Sequence, residues 1–187
     1  LKELFYATSR ALSRGLDNPL KGSERIAFNK KMALEELALN RVSPKQAEDI
    51  WSRLSDEYFL VHSADEIAWQ CRHMLTAKAD SLPLLVIRQM TRRGGTEIFL
   101  YTKDNDYLFA KVTAALELLD LNIADARIIT SNDGYTLDTF IILDSEGEGT
   151  NVQGHTQSIR KERIRKENQI ASSVELIFVT RPSHDFV

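Results

Sequence analysis

The hydrophobic pattern of this 187-residue chain changes period once, at Leu82-Pro83, and that switch limits the fold more than any other feature. Before it, apolar residues recur at helical spacing. Leu1, Leu4, Phe5, Thr8 and Leu12 mark one helix, with Gly15 and Asn18-Pro19 as its stop signal. Ser23 can cap a second, whose apolar positions include Ile26, Ala33, Leu34, Leu37 and Ala38. Ser43-Pro44-Lys45-Gln46 is a capping box with proline at the first helical position, and it opens a helix carrying Ala47, Ile50, Trp51 and Leu54. Ser63-Ala64-Asp65-Glu66 is a second box, followed by the stripe Ile67, Ala68, Cys71, Met74 and Leu75. Its two acids suit the positive end of the helix dipole. Residues 1–80 therefore read as a helical segment.

After the switch the pattern is that of strands. Leu84–Ile87 and Thr96–Tyr101 are apolar runs, and Arg92-Arg93-Gly94-Gly95 between them has hairpin chemistry. A helix is expected over Tyr107–Leu119, with Leu108, Val112, Ala115 and Leu119 on one side. Asn122–Thr130 and Tyr135–Leu143 form a hairpin about Asn132-Asp133-Gly134, where Gly tolerates positive φ and Asx side chains bond back to the backbone. A charged helix over Ser158–Asn168 and a last strand over Val174–Val179 complete the order β-α-β-β-α-β from Thr96 onward. That order is the ferredoxin-like split βαβ, with the run at 84–89 adding one strand. The fold class expected is α+β: a helical segment, then an antiparallel sheet with helices on one face, over residues 81–187.

Charge and composition exclude several functions. Lys and Arg number 24 against 27 Asp and Glu, so the basic excess that phosphate neutralisation requires is missing and nucleic acid is not an expected partner. No apolar run approaches the roughly 18 residues of a membrane span, and no signal peptide opens the chain. Cys71 is the single cysteine, which fits a reducing, cytoplasmic setting. The chain starts at Leu1 rather than Met, as a piece of something longer would.

No catalytic constellation stands out. His184-Asp185 has the letters of a metal phosphohydrolase dipeptide, but His62, His73 and His155 lack helical spacing to it, so a solvated pair is the plainer account. Cys71 sits on an apolar stripe, as an inert buried thiol does. The basic run Arg160, Lys161, Arg163, Arg165, Lys166 is diluted by Glu162 and Glu167 and reads as a solvated helix face. Phosphate loops and nucleophile elbows are absent from the sequence.

Several segments in order carry a family resemblance. They are Asp56–Ser63, Ile67-Ala68-Trp69, Gly94–Tyr101, Tyr107–Ala110, Asp125–Ile128 and Leu137–Asp144. Together they resemble the bifunctional PII uridylyltransferase/uridylyl-removing enzymes of bacterial nitrogen control, from about residue 10 to 145 and more weakly to the end. The resemblance implies a modular parent: a nucleotidyltransferase domain, an HD phosphohydrolase domain, then two ACT domains that sense glutamine. Such a parent transfers UMP from UTP to a tyrosine of the PII protein when glutamine is scarce and removes it when glutamine is abundant. The matching stretch is the connector after the HD domain (1–80) and the first ACT domain (81–187). The GS…DxD and HD metal motifs fall outside it, so the chain alone is expected to be catalytically silent and free of cofactor, while the parent uses Mg or another divalent metal.

ACT domains bind amino acids where the first strand turns into the first helix. Here that turn offers Lys103, Asp104, Asn105, Asp106, Tyr107 and Leu108 as effector-binding candidates. Helix N-terminal amides favour the ligand carboxylate, and an acid can take its ammonium. The family pattern D-x-P-G-L is altered, with Asp106 at the proline position and Tyr107 at the glycine position. An alternative role for Asp104 and Asp106 is to cap the helix. Alternative functions are a ligand-free module that dimerises through sheet edges, and an acylphosphatase, which would need an arginine where this turn has Lys103.

Overall fold

The computed structural model describes residues 19–89, 95–119 and 121–143, together with 170, 172 and 173. It divides into two compact units, Leu1–Thr76 and Ala77–Val187.

In the first unit, α1 (Pro19–Leu39), α2 (Pro44–Trp51), α3 (Asp56–Val61) and α4 (Ala64–Thr76) share one core. Pro19 opens α1, four residues ahead of the expected Ser23 cap, because its fixed φ suits the first turn and its missing N–H costs nothing there. The expected helix over residues 1–12 lies outside the described residues. The first capping box forms in full, and the second contributes its glutamate half. Gln46 N–H donates to Ser43 Oγ at 3.3 Å and Ser43 N–H to Gln46 Oε1 at 3.0 Å. Ser63 N–H donates to Glu66 Oε2 at 2.7 Å. Between them α3, which periodicity alone is too short to reveal, inserts Tyr58 and Phe59 into the core. Asn29, Ala33 and Leu37 form the buried stripe of α1. The Asn29 amide donates to the carbonyls of Phe59 at 2.8 Å and His62 at 3.2 Å, satisfying backbone groups at the end of α3.

In the second unit β1 (Leu84–Gln89), β2 (Thr96–Lys103), β3 (Asn122–Thr130) and β4 (Tyr135–Leu143) form one antiparallel sheet in the order β1-β2-β4-β3. The helix α5 (Leu108–Leu118) links β2 to β3 across the intervening β4. Its Leu108, Val112 and Leu116 close on Ile98, Leu100, Phe140 and Ile142, with Ile170 joining the same core. The other sheet face buries Phe99, Leu137 and Ile141, and there Glu97 pairs with Arg88 at 2.7 Å across β1 and β2.

The added strand is thus present, and its place is informative. A second crossover leaving β4 as the first leaves β2, skipping one strand, would arrive beside β2. β1 already holds that place, with Arg88 opposite Glu97 and Leu84 opposite Tyr101. The expected strand Val174–Val179 and helix Ser158–Asn168 lie outside the described residues. So do Arg92, Arg93 and Gly94. Gly95, which ends that loop, has φ +73°, and a Cβ added there would press into the Ile142 carbonyl oxygen.

Candidate functional site

The turn from β2 into α5 is built from two adjacent connections. Asp104 N–H donates to the Gly134 carbonyl at 2.9 Å, tying the β2–α5 turn to the β3–β4 turn. The second turn is held by Ser131, whose Oγ accepts Tyr135 N–H at 3.0 Å, and Gly134 takes φ +79°. Tyr101 and Tyr135 stack nearby at 5.2 Å between centroids.

Of the six candidate residues, Lys103, Asp104, Asn105, Asp106 and Tyr107 are exposed, and Leu108 is buried in the core. The geometry corrects the capping alternative. Neither Asp104 nor Asp106 stands at the cap; Tyr107 does, and no side chain hydrogen-bonds there. Leu108 N–H reaches back to Asn105 O at 3.3 Å, and Lys111 N–H makes the first helical bond, to Tyr107 O at 2.9 Å.

Tyr107 has φ 62° and ψ 16°, the left-handed region that a bulky residue rarely enters. Its side chain is 79% exposed, so no packing of its own accounts for the conformation. The tyrosine therefore adopts the backbone geometry for which glycine is favoured.

One buried acid lies outside the candidate set. Asp138 on β4 is 1% exposed and shares the helix-covered face with Leu100 and Phe140. Its Oδ1 accepts a hydrogen bond from the Thr136 hydroxyl. Burial raises its pKa from 3.8 to about 6, the Thr136 hydrogen bond opposes that, and the Asp104 charge raises it further. The sequence does carry a signal: Asp138 is a carboxylate at an inward-facing position in step with Phe140 and Ile142.

Elsewhere, Cys71 is fully buried and burial pushes its thiol up to about 12, which removes thiolate nucleophilicity at neutral pH. Among the described residues no three or more His, Cys, Asp or Glu gather to hold a metal ion. No helix among them is long and apolar enough to cross a membrane. His155, the Arg160–Lys166 run and His184-Asp185 lie outside the described residues.

With the geometry in place, the sequence comparisons become decisive. A family model described as "Uridylyltransferase GlnD fifth domain" matches residues 22–73, which span α1 to most of α4. The bifunctional uridylyltransferase/uridylyl-removing enzyme of Vibrio cholerae is 46% identical over 160 residues, 86% of this chain and 18% of that protein. The chain is related to the bifunctional uridylyltransferase/uridylyl-removing enzymes. The enzyme of the same description from Pseudomonas fluorescens is 45% identical over 171 residues, 89% of this chain and 18% of its own length. That from Ectopseudomonas mendocina is 46% identical over 150 residues, 79% of this chain and 17% of its own. The chain thus spans about a fifth of the length of these uridylyltransferase/uridylyl-removing enzymes.

Proposed function

We propose that this chain is a regulatory segment of a bifunctional uridylyltransferase/uridylyl-removing enzyme, and that its β2–α5 turn binds glutamine. The observation that carries the reading is the start of α5: a helix N-terminus without a side-chain cap, behind a left-handed Tyr107, beside exposed Asp104. Backbone amides and the helix dipole there suit a carboxylate, and the acid suits an ammonium group. An α-amino acid carries both. In the parent, UMP transfer to PII and its removal, with their divalent metal, take place on other segments; this chain relays glutamine occupancy to them in the cytoplasm. Coupling of that kind requires glutamine to bind two states of the parent unequally.

Calorimetric titration with glutamine, with glutamate and alanine as controls, tests the reading. Saturable heat for glutamine alone, lost in Asp104→Ala, is the expected result. No heat at millimolar glutamine removes the sensor role from this chain. The second reading, an interaction module without ligand, is favoured by β3, whose outer edge pairs with no other strand among the described residues. Mass that rises with concentration in sedimentation, with no glutamine heat, would select it.

A further inference from the structure

The outer face of α1 carries apolar side chains that the helical core does not use. Phe28 is 61% exposed, Met32 37% and Leu39 86%. At 3.6 residues per turn the three fall within an arc of about 40° and form one stripe along the helix. The buried stripe of Asn29, Ala33 and Leu37 faces elsewhere, centred roughly 120° away. A contiguous apolar stripe on the solvent side of a helix marks a surface that another element covers.

We propose that the occupant is residues 1–12 of this same chain, laid antiparallel along α1 as the first arm of a helical hairpin and covering Phe28 and Met32. Three observations select that segment. Its sequence has a matching stripe, Leu1, Leu4, Phe5, Thr8 and Leu12 at helical spacing, with Glu3, Arg10 and Arg14 on the opposite side. Only Gly15–Asn18 separates Arg14 from Pro19, and so short a connection between helices returns the chain antiparallel to its neighbour. The lengths also agree. Phe28 stands nine residues after Pro19 and Phe5 nine before Arg14, each about 13.5 Å from the connection at the helical rise. Met32 and Leu1 each stand thirteen residues from it, about 19.5 Å. Leu39 is twenty residues after Pro19, about 30 Å along, and so lies past the end of the segment. The helical unit is then closed by chain that precedes residues 22–73, the part matched by the family model.

The test uses the 187-residue chain carrying Met32→Cys or Leu39→Cys, each with and without Phe5→Asp, and reads the rate of maleimide labelling. Cys71 is fully buried, so it stays unlabelled while the unit is folded and reports unfolding when it reacts. Phe5→Asp is expected to speed labelling of Met32→Cys on the order of tenfold, by releasing the cover, and to leave Leu39→Cys unchanged. An unchanged rate for Met32→Cys, with Cys71 silent, overturns the proposal. An equal rise at both positions also overturns it, since that marks general loosening. So does protection that is lost on dilution, which makes a second copy the occupant. Should Phe5→Asp expose Cys71, a cysteine pair decides. Phe5→Cys with Phe28→Cys is expected to close an intramolecular disulfide on mild oxidation, and Phe5→Cys with Leu39→Cys is not; equal closure of the two, or closure of neither, overturns the hairpin.

Discussion

Replacing Asp138 by Asn gives the sharpest check on the physical account of the second unit. A folded-state pKa of about 6 against 3.8 corresponds to a penalty of about 3 kcal/mol on the ionised, folded form. The sign follows from proton binding. Below about pH 4 both states are protonated and Asp138 costs nothing; between pH 4 and 6 the unfolded chain ionises first, so stability falls as pH rises; above 6 the full penalty remains. Asn is the same size, can still accept from Thr136, and does not titrate. Its buried NH2 adds a constant cost of about 1 kcal/mol, which cancels when the same pair is compared at two pH values. The stability difference, variant minus wild type, should therefore rise by about 3 kcal/mol from pH 4 to pH 8. Trp51 and Trp69 both lie in the first unit, so their fluorescence does not report on the sheet. Hydrogen exchange at the β4 amides in wild type and variant does. A difference that stays flat between pH 4 and 8 would show that Asp138 is not held in an apolar, charge-repelling place.

Tyr107→Gly should leave stability within about 0.5 kcal/mol of wild type, because relief of left-handed strain is offset by the freedom glycine gains when unfolded; Tyr107→Val, which adds β-branching at φ 62°, should lose about 1–2 kcal/mol in urea melts. Gly95→Ala should cost more than about 2 kcal/mol, since it combines positive φ with a clash against the Ile142 backbone, and it is read by the same exchange experiment on β2 and β4. Asn29→Ala should destabilise the helical unit by about 2 kcal/mol, by leaving the Phe59 and His62 carbonyls without their amide donor; tryptophan fluorescence in urea measures it, and an unchanged midpoint would refute the role.

Most of the fold is legible because each element has both a pattern and a boundary. Ser43-Pro44 and Ser63 mark helix starts that form with the expected hydrogen bonds. The hairpin Asn122–Leu143 is written as two alternating runs about Asn132-Asp133-Gly134. Three features were less legible. α3 has six residues, less than two turns, so no stripe can establish it; it forms because Tyr58 and Phe59 are buried against α1 and α4, a tertiary cause. The start of α1 at Pro19, ahead of the Ser23 cap, was hard to read because proline is suited to either end of a helix. The place of β1 beside β2 depends on pairing between strands, and an apolar run does not name its partner.

The candidate site divides along the same line. Its turn residues are contiguous in sequence, and the resemblance points to them directly. What the letters do not show is that Tyr107 takes a left-handed conformation, in a turn framed by the hydrogen bonds from Asp104 to Gly134 and from Lys111 to Tyr107. A motif read letter by letter asks whether glycine is present; the fold asks only whether φ is positive. Asp138 shows the converse. It is thirty residues along the chain from Leu108, and its single sequence mark is that a carboxylate stands where the alternation calls for an apolar residue. Only the register of β4 against β2, with Asp138 opposite Leu100 and Thr136 opposite Thr102, sets it on the face that α5 covers. A carboxylate buried there disfavours its own ionised form, and that is why the stability of the second unit should depend on pH through this one residue.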